Sequence, residues 1–439
     1  MRRPRTTELF LLLVVGVITV AAYALASLGR FAVLPANIVP FLGSILALLG
    51  VAHVATRRLA PKADPMLLPL AGLLNGLGYV FIARLDDDLA GLQSTWTAVG
   101  VAAFVGTLVV IRRARLLEQN RYTLMAVGIA LLLLPLVPGI GQEINGARIW
   151  VSLGPVNFQP GEFAKIALAV FFAAYLVDKR ELLSGAARKV LGMPFPEIKH
   201  FGPVLLAWGT SLVVMVAQKD LGSSLLFFLL FLVVLWVATE RVAYLASGLA
   251  LFAGGAVLAW SRFTHVQQRV DSWLDPWADR LGDGFQVTEA AFGLAHGGIT
   301  GTGIGLGSPD RIPIVETDFI FAAIGEELGL LGATAVLCAY LLMIGSGLRI
   351  ALRTDDHFEK LLATGLTALL GFQAFLIIGG VIRLLPLTGV TLPFVSYGGS
   401  SLVANYVLLA LLLRISHESA EREQAGSAPA GARRPGAAA

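Results

Sequence analysis

The sequence is short of charge. Asp, Glu, Lys and Arg make up 14% of its 439 residues, while hydrophobic residues make up 56%. Soluble domains carry about 25% charged residues, and a soluble chain of this length would need polar surface for two or three domains. The 33 basic and 29 acidic residues are too few to supply it. One cysteine, Cys338, excludes a disulfide scaffold, and the apolar content excludes a disordered chain. The six histidines are scattered, with no His-Glu-x-x-His, so neither a zinc site nor a Ser-His-Asp constellation is visible. A net charge of +4 is no sign of nucleic-acid binding before its placement is known.

What is present is a series of apolar runs. A membrane helix needs about 20 mainly apolar residues. Such runs occur near 8–28, 36–56, 65–84, 92–111, 123–139, 162–178, 201–217, 220–239, 243–261, 318–347, 361–382 and 397–415. None shows the ten-residue alternation of a membrane β-barrel. The expectation is an all-α, polytopic membrane protein of about twelve spans. With the N-terminus inside, 23 Lys and Arg fall in inner segments and 9 in outer ones. That bias places both termini in the cytoplasm and accounts for most of the basic charge as topology. The first 28 residues read as an uncleaved span rather than a signal peptide, because the apolar run is long. Cys338 lies mid-span and reads as a buried small apolar residue. Residues 416–439, rich in Ala, Gly, Pro and charge, read as a disordered cytoplasmic tail.

Residues 262–317 form a long outer loop that is not of low complexity. Loops of this length usually carry function. This one holds Trp273, Trp277, Phe285, Phe292 and Arg269, and ends in glycines at 297, 298, 301, 303, 305 and 307. The glycine run lacks the Gly-Lys-Ser/Thr ending of a phosphate loop. It reads as a hinge or a place of close backbone approach.

Ionisable side chains within spans cost about 2.5–3.5 kcal/mol each on insertion scales and mark candidate sites. Asp318 opens a span after Thr317, Glu326 and Glu327 lie deeper in it, Lys165 follows Glu162 by one turn, and Arg383 ends a span. Each has a bland alternative. Thr317 could cap the helix and Asp318 complement its dipole. Glu162 and Lys165 could be an i,i+3 pair, and the two glutamates could pair with Lys165 or Arg383. Spacing alone does not separate a transporter from an enzyme.

The order of motifs adds to this reading. Gly146-Ala147-Arg148-Ile149-Trp150, followed by Phe158-Gln159-Pro160-Gly161-Glu162-Phe163-Ala164-Lys165, resembles a signature of the SEDS family (shape, elongation, division and sporulation). Gln218-Lys219-Asp220-Leu221-Gly222-Ser223, Arg269-Val270, Gly284-Phe285-Gln286, Thr317-Asp318-Phe319-Ile320-Phe321 and Gly325-Glu326-Glu327-Leu328-Gly329 are similar to further family motifs in the same order. The segment from Pro386 to Ser401 matches the last one. Gly161, Lys219, Ile314 and Glu316 depart from the usual residues. Within the family the chain resembles the elongation (RodA) branch of actinobacteria more than the division (FtsW) branch.

The resemblance implies a ten-helix core over residues 61–415, with about two extra N-terminal helices in residues 1–60. It implies a peptidoglycan glycosyltransferase that polymerises lipid II at the outer face of the bacterial cytoplasmic membrane. A class B penicillin-binding protein, a transpeptidase, would be its partner. The donor's diphosphate leaves without protonation, so one carboxylate base suffices, unlike the two of a glycosidase. On this reading Asp318 is the base, and Arg148 and Arg269 grip the diphosphate or sugar. Glu162, Lys165, Glu326, Glu327 and Arg383 form a supporting polar network. Ser396, Tyr397, Gly398, Gly399 and Ser400 form a signature loop at the head of the last span, whose small residues suit close helix packing. No residue cluster names a metal; Mg or Mn would act as an adjunct on the phosphates. The polyprenyl tail requires a groove open sideways to lipid, which the sequence does not locate. The alternatives are a lipid II flippase and, third, a non-catalytic scaffold of the cell-wall machinery.

Overall fold

The structure, a computed structural model, describes residues 4–34, 38–144, 146–154, 156–181, 188–190, 193–195, 209 and 217–426. The span expected at 201–217 lies almost wholly outside these residues. The helices are α1 (Pro4–Phe31), α2 (Ile38–Leu59), α3 (Leu67–Leu85), α4 (Asp87–Val110), α5 (Arg115–Gln119), α6 (Arg121–Leu133) and α7 (Gly161–Asp178). They continue as α8 (Leu221–Thr239), α9 (Val242–Arg262), α10 (Thr264–Leu274), α11 (Phe285–Gly297), α12 (Ile320–Arg353), α13 (His357–Val381) and α14 (Gly399–Gly426). Among the described residues, eight helices are long and apolar enough to cross a membrane. The chain is a multi-pass membrane protein, as its composition requires.

Strands are present as well. β1 (Gly141–Ile144), β2 (Ala147–Leu153) and β3 (Val156–Phe158) form an antiparallel sheet in that order. Gly146 turns the chain between β1 and β2 at φ +75°, a conformation that costs glycine nothing. A second hairpin pairs β4 (Arg188–Val190) with β5 (Met193–Phe195). These lie between apolar runs, where water or neighbouring strands can satisfy the backbone.

Helices α7, α13 and α14 are buried along most of their length, whereas α9 exposes Leu249, Leu251, Phe252, Val257 and Leu258. Lipid-facing helices carry apolar residues outward, because hydrocarbon is the solvent there. Cys338 belongs to this outer class: it is exposed on α12, not buried.

α12 is broken at Gly329, whose φ of 66° and ψ of −167° end one helical segment and begin another. A break leaves carbonyls and N–H groups without partners, which is costly at membrane depth. The glycine-rich loop supplies them. Thr302 N and Gly303 N donate to the carbonyls of Glu326 and Glu327, and Leu330 N and Leu331 N donate to Gly298 O and Ile299 O. A Cβ at position 301 would stand 2.2 Å from the Glu327 carbonyl oxygen. The glycines are thus a close-approach element.

The tail begins later than composition suggests. α14 runs to Gly426, and its charged residues have partners. Arg414 donates to Leu59 O (2.9 Å) and Leu108 O (2.5 Å), Ala114 N donates to Glu418 (2.9 Å), and Arg422 pairs with Glu359. Glu418 and Arg422 thus fasten the helix beyond residue 415 to the α4–α5 turn and the start of α13, through interactions that composition does not encode.

Candidate active site

Asp318 does not open α12. Phe319 is the residue before the first helical position, and Asp318 precedes it in a turn. Thr317 does not cap the helix; its hydroxyl donates to Ile314 O at 3.0 Å. Two bonds hold this turn to the signature loop. Ser396 Oγ donates to Thr317 O at 2.5 Å, and Tyr397 N donates to Glu316 O at 2.8 Å. Ser396 Oγ also accepts from Leu392 N at 2.9 Å, which closes a turn of the loop on itself.

Two cavities meet at Asp318. The larger, about 620 Å³, is walled by α4 (Leu92, Trp96, Val99), the β-sheet (Ile144, Ile149, Trp150), Glu162, and the start of α14 with Tyr397 to Ser401. The smaller, about 410 Å³, is more polar and is lined by His265, Gln268, Ser272, Asp283 and Arg383. Arg269, Gln286, Asp318 and Gly389 border both. Arg269 is held by donation to Leu387 O at 3.2 Å. A methyl group on Gly389 would stand 3.6 Å from Arg269 Nη2 and 3.9 Å from Asp318 Oδ2. Cation and carboxylate therefore converge on one glycine. Among the described residues no ion pair ties up either of them.

Electrostatics sets the carboxylate's character. Burial pushes the Asp318 carboxyl up to about 6, while Arg269 and the Thr317 hydroxyl draw it down and Glu316 and Asp220 push it further up. Desolvation disfavours the charged form and the nearby guanidinium favours it. The result is a group that takes a proton readily near neutral pH yet is ionised there.

The other expected residues fall into separate groups. Lys165 Nζ lies 2.9 Å from Glu162 Oε1 and 3.4 Å from Gln373 Oε1. Gln373 Nε2 donates to Thr391 O at 2.9 Å, and Thr391 Oγ1 donates to Ser401 Oγ at 2.8 Å. This chain lies beneath the larger cavity, which Glu162, Thr391 and Ser401 line. Ser400 Oγ accepts from Gln159 N at 2.9 Å, joining α14 to the segment after β3.

Glu326 and Glu327 are not part of that chain, and neither pairs with Lys165 or Arg383. Glu327 pairs with Arg84 at 2.6 Å and accepts from Gly305 N at 2.9 Å, while Glu326 accepts from Ser308 N at 2.8 Å. Both glutamates hold the glycine-rich loop. Arg383, just past α13 at φ 61°, donates to Trp273 O at 3.1 Å and borders the smaller cavity. The single expected network is therefore three, because the helices that carry these groups are separated in space. Arg148 lies on β2 and donates its N–H to Gln218 O at 3.1 Å, but it is not among the residues lining either cavity.

Four polar residues escape a search for charge in spans. Gln286, Gln373 and Thr391 are uncharged, and Arg84 counts as a loop cation although it is buried. Among the described residues no group of three or more His, Cys, Asp or Glu could hold a metal ion.

The family described as "Cell cycle protein", comprising FtsW, RodA and SpoVE, matches residues 77–421. The chain is 47% identical over 424 residues to the peptidoglycan glycosyltransferase RodA of Mycobacterium tuberculosis, covering 94% of this chain and 90% of the relative. It is 36% identical over 371 residues to the probable peptidoglycan glycosyltransferase FtsW of the same species, covering 81% and 68%. A chain from a peptidoglycan synthase complex that coordinates polymerization and crosslinking superposes with a TM-score of 0.67 at 30% identity, covering 81% of this chain and 98% of that one. RodA of Thermus thermophilus superposes with a TM-score of 0.56 at 27% identity, covering 81% and 97%. The protein belongs to the FtsW/RodA/SpoVE family.

Proposed function

We propose that the chain is a peptidoglycan glycosyltransferase of the RodA type, polymerising lipid II at the outer face of the cytoplasmic membrane during cell elongation. One observation carries this reading: Asp318, which forms no ion pair among the described residues, is the carboxylate that borders both cavities, and it sits there with Arg269. Polymerisation needs space for two lipid-linked sugars and a base between them. A flippase needs one path and no base. The higher identity to RodA than to FtsW supports the elongation role.

Asp318 takes the proton from the acceptor's sugar hydroxyl as that oxygen bonds to the donor's C1. The bond from C1 to the diphosphate breaks, and undecaprenyl diphosphate leaves with the electron pair. Arg269 and Arg383 face the region where that negative charge grows; guanidinium binds phosphate through paired hydrogen bonds. Arg148 would act only from the rim. A Mg or Mn ion bound to the diphosphate would share in neutralising its charge. The polyprenyl tail runs along Leu92, Trp96 and Val99 of α4, which line the larger cavity; Leu92 and Val99 are exposed. The partner is a class B penicillin-binding protein that cross-links the product. The match to a chain from a complex of polymerization and crosslinking supports that pairing.

Purified protein given lipid II, with and without that partner, tests the reading. Glycan strands that disappear with Asp318→Asn are expected. Headgroup translocation in liposomes without polymer would replace polymerase with flippase.

A further inference from the structure

Gln373 is 3% exposed on α13, and the rest of that helix from Ala368 to Val381 is apolar or glycine. A buried amide is costly unless its hydrogen bonds are made. Here both ends are used, and their direction is fixed by chemistry. A lysine ammonium only donates and a backbone carbonyl only accepts. Oε1 therefore faces Lys165 Nζ at 3.4 Å, and Nε2 faces Thr391 O at 2.9 Å, with Ser401 Oγ at 3.3 Å.

The partners on each side matter. Lys165 is paired with Glu162, which lines the larger cavity. Thr391 ends a short segment that begins at Leu387, whose carbonyl accepts from Arg269. Its middle residue, Gly389, lies against both Arg269 and Asp318. The segment also packs on the start of α8, where a Cβ at Gly222 would stand 2.4 Å from Thr388 O. One end of the segment is thus held by Arg269 and the other by Gln373. No other side chain joins the α7 ion pair to this backbone by direct hydrogen bonds among the described residues.

We propose that Gln373 is a positioning residue for glycosyl transfer, locking the Gly389–Thr391 backbone to the Glu162–Lys165 pair so that Asp318 and Arg269 keep their spacing across Gly389. The proposal rests on the polymerase reading above. Gln373 touches no substrate; it acts through the segment it anchors. Misplacing reacting groups by about 1 Å can cost about a hundredfold in rate.

Two near-isosteric variants test it. Gln373→Met removes both hydrogen-bonding arms. Gln373→Glu keeps the acceptor for Lys165 but sets a carboxylate oxygen against the Thr391 carbonyl. Both are expected to lower kcat for lipid II polymerisation about tenfold to a hundredfold, with KM for lipid II within about threefold of wild type, because binding contacts shared by ground and transition states are untouched. A packing role would let the Met variant keep full kcat. A role confined to satisfying Lys165 would let the Glu variant keep it. Full turnover by either variant overturns the proposal. So does loss of folded protein in both, which would make Gln373 a structural residue only. Wild-type protein and Asp318→Asn are assayed alongside. Wild type without polymer overturns the polymerase reading and this proposal together. Active wild type and inactive Asp318→Asn beside fully active Gln373 variants overturn only this one.

Discussion

The hydroxyl of Ser396 donates to the carbonyl of Thr317 at 2.5 Å, and Thr317 is the residue immediately before Asp318. The candidate base is therefore placed by the loop that leads into the last helix, not by a helical turn of its own. Ser396→Ala would strip Thr317 O and Leu392 N of their partner together. The expected cost is about 1–3 kcal/mol for buried groups left unsatisfied, read as a lower thermal midpoint in detergent, with polymerisation falling by more than the loss of folded protein explains. Unchanged activity and midpoint would show that the Asp318 turn holds itself.

Asp318→Asn should leave a folded protein without polymerase activity, because an amide cannot take the acceptor's proton. Size-exclusion behaviour like that of wild type, with no glycan product from lipid II, is the expected pair of results. A fully active variant would rule out the base role.

The pH profile follows from the same group. A base works only when ionised, and burial raises the Asp318 carboxyl to about 6. Turnover should rise with pH through that value and be lost below it. The Arg269 charge holds the carboxyl down from where burial alone would put it, so Arg269→Gln should move the acid limb of its residual activity to higher pH. An unmoved limb would show that another group titrates.

Gly389→Ala probes the meeting point of the two cavities. Its φ is +71°, where a side chain costs about 1–2 kcal/mol. The added methyl would also come into van der Waals contact with both Arg269 and Asp318. A modest loss of stability with a much larger loss of kcat is expected, measured by thermal unfolding and lipid II turnover.

Arg84 and Glu327 form a buried pair whose side chains are 7% and 0% exposed. Removing one partner leaves the other charge uncompensated, at a cost of about 3–5 kcal/mol. Glu327→Gln and Arg84→Met should each lower the thermal midpoint, and the double variant should recover part of it. Additive losses would mean the two groups do not depend on each other.

The sequence by itself determined that this chain crosses a membrane many times, since 14% charge cannot cover a soluble surface of 439 residues. It also marked Asp318, Lys165 and the paired glutamates, because a charge in an apolar run is costly and rarely idle. Periodicity and cost are local properties, and both can be read along one strand of text. Which charge meets which partner is not local. Arg84 and Glu327 are 243 positions apart, and Gln373 and Lys165 are 208 apart. Only packing decided that Glu327 serves the glycine-rich loop, that Lys165 serves the cavity floor, and that an uncharged glutamine joins Lys165 to the backbone beside Asp318. The same holds for the last helix, whose charged extension reads as disorder in composition but is held through Glu418 to Ala114 and through Arg422 to Glu359. A hydrogen bond's worth depends on who stands opposite, and that is a property of the fold.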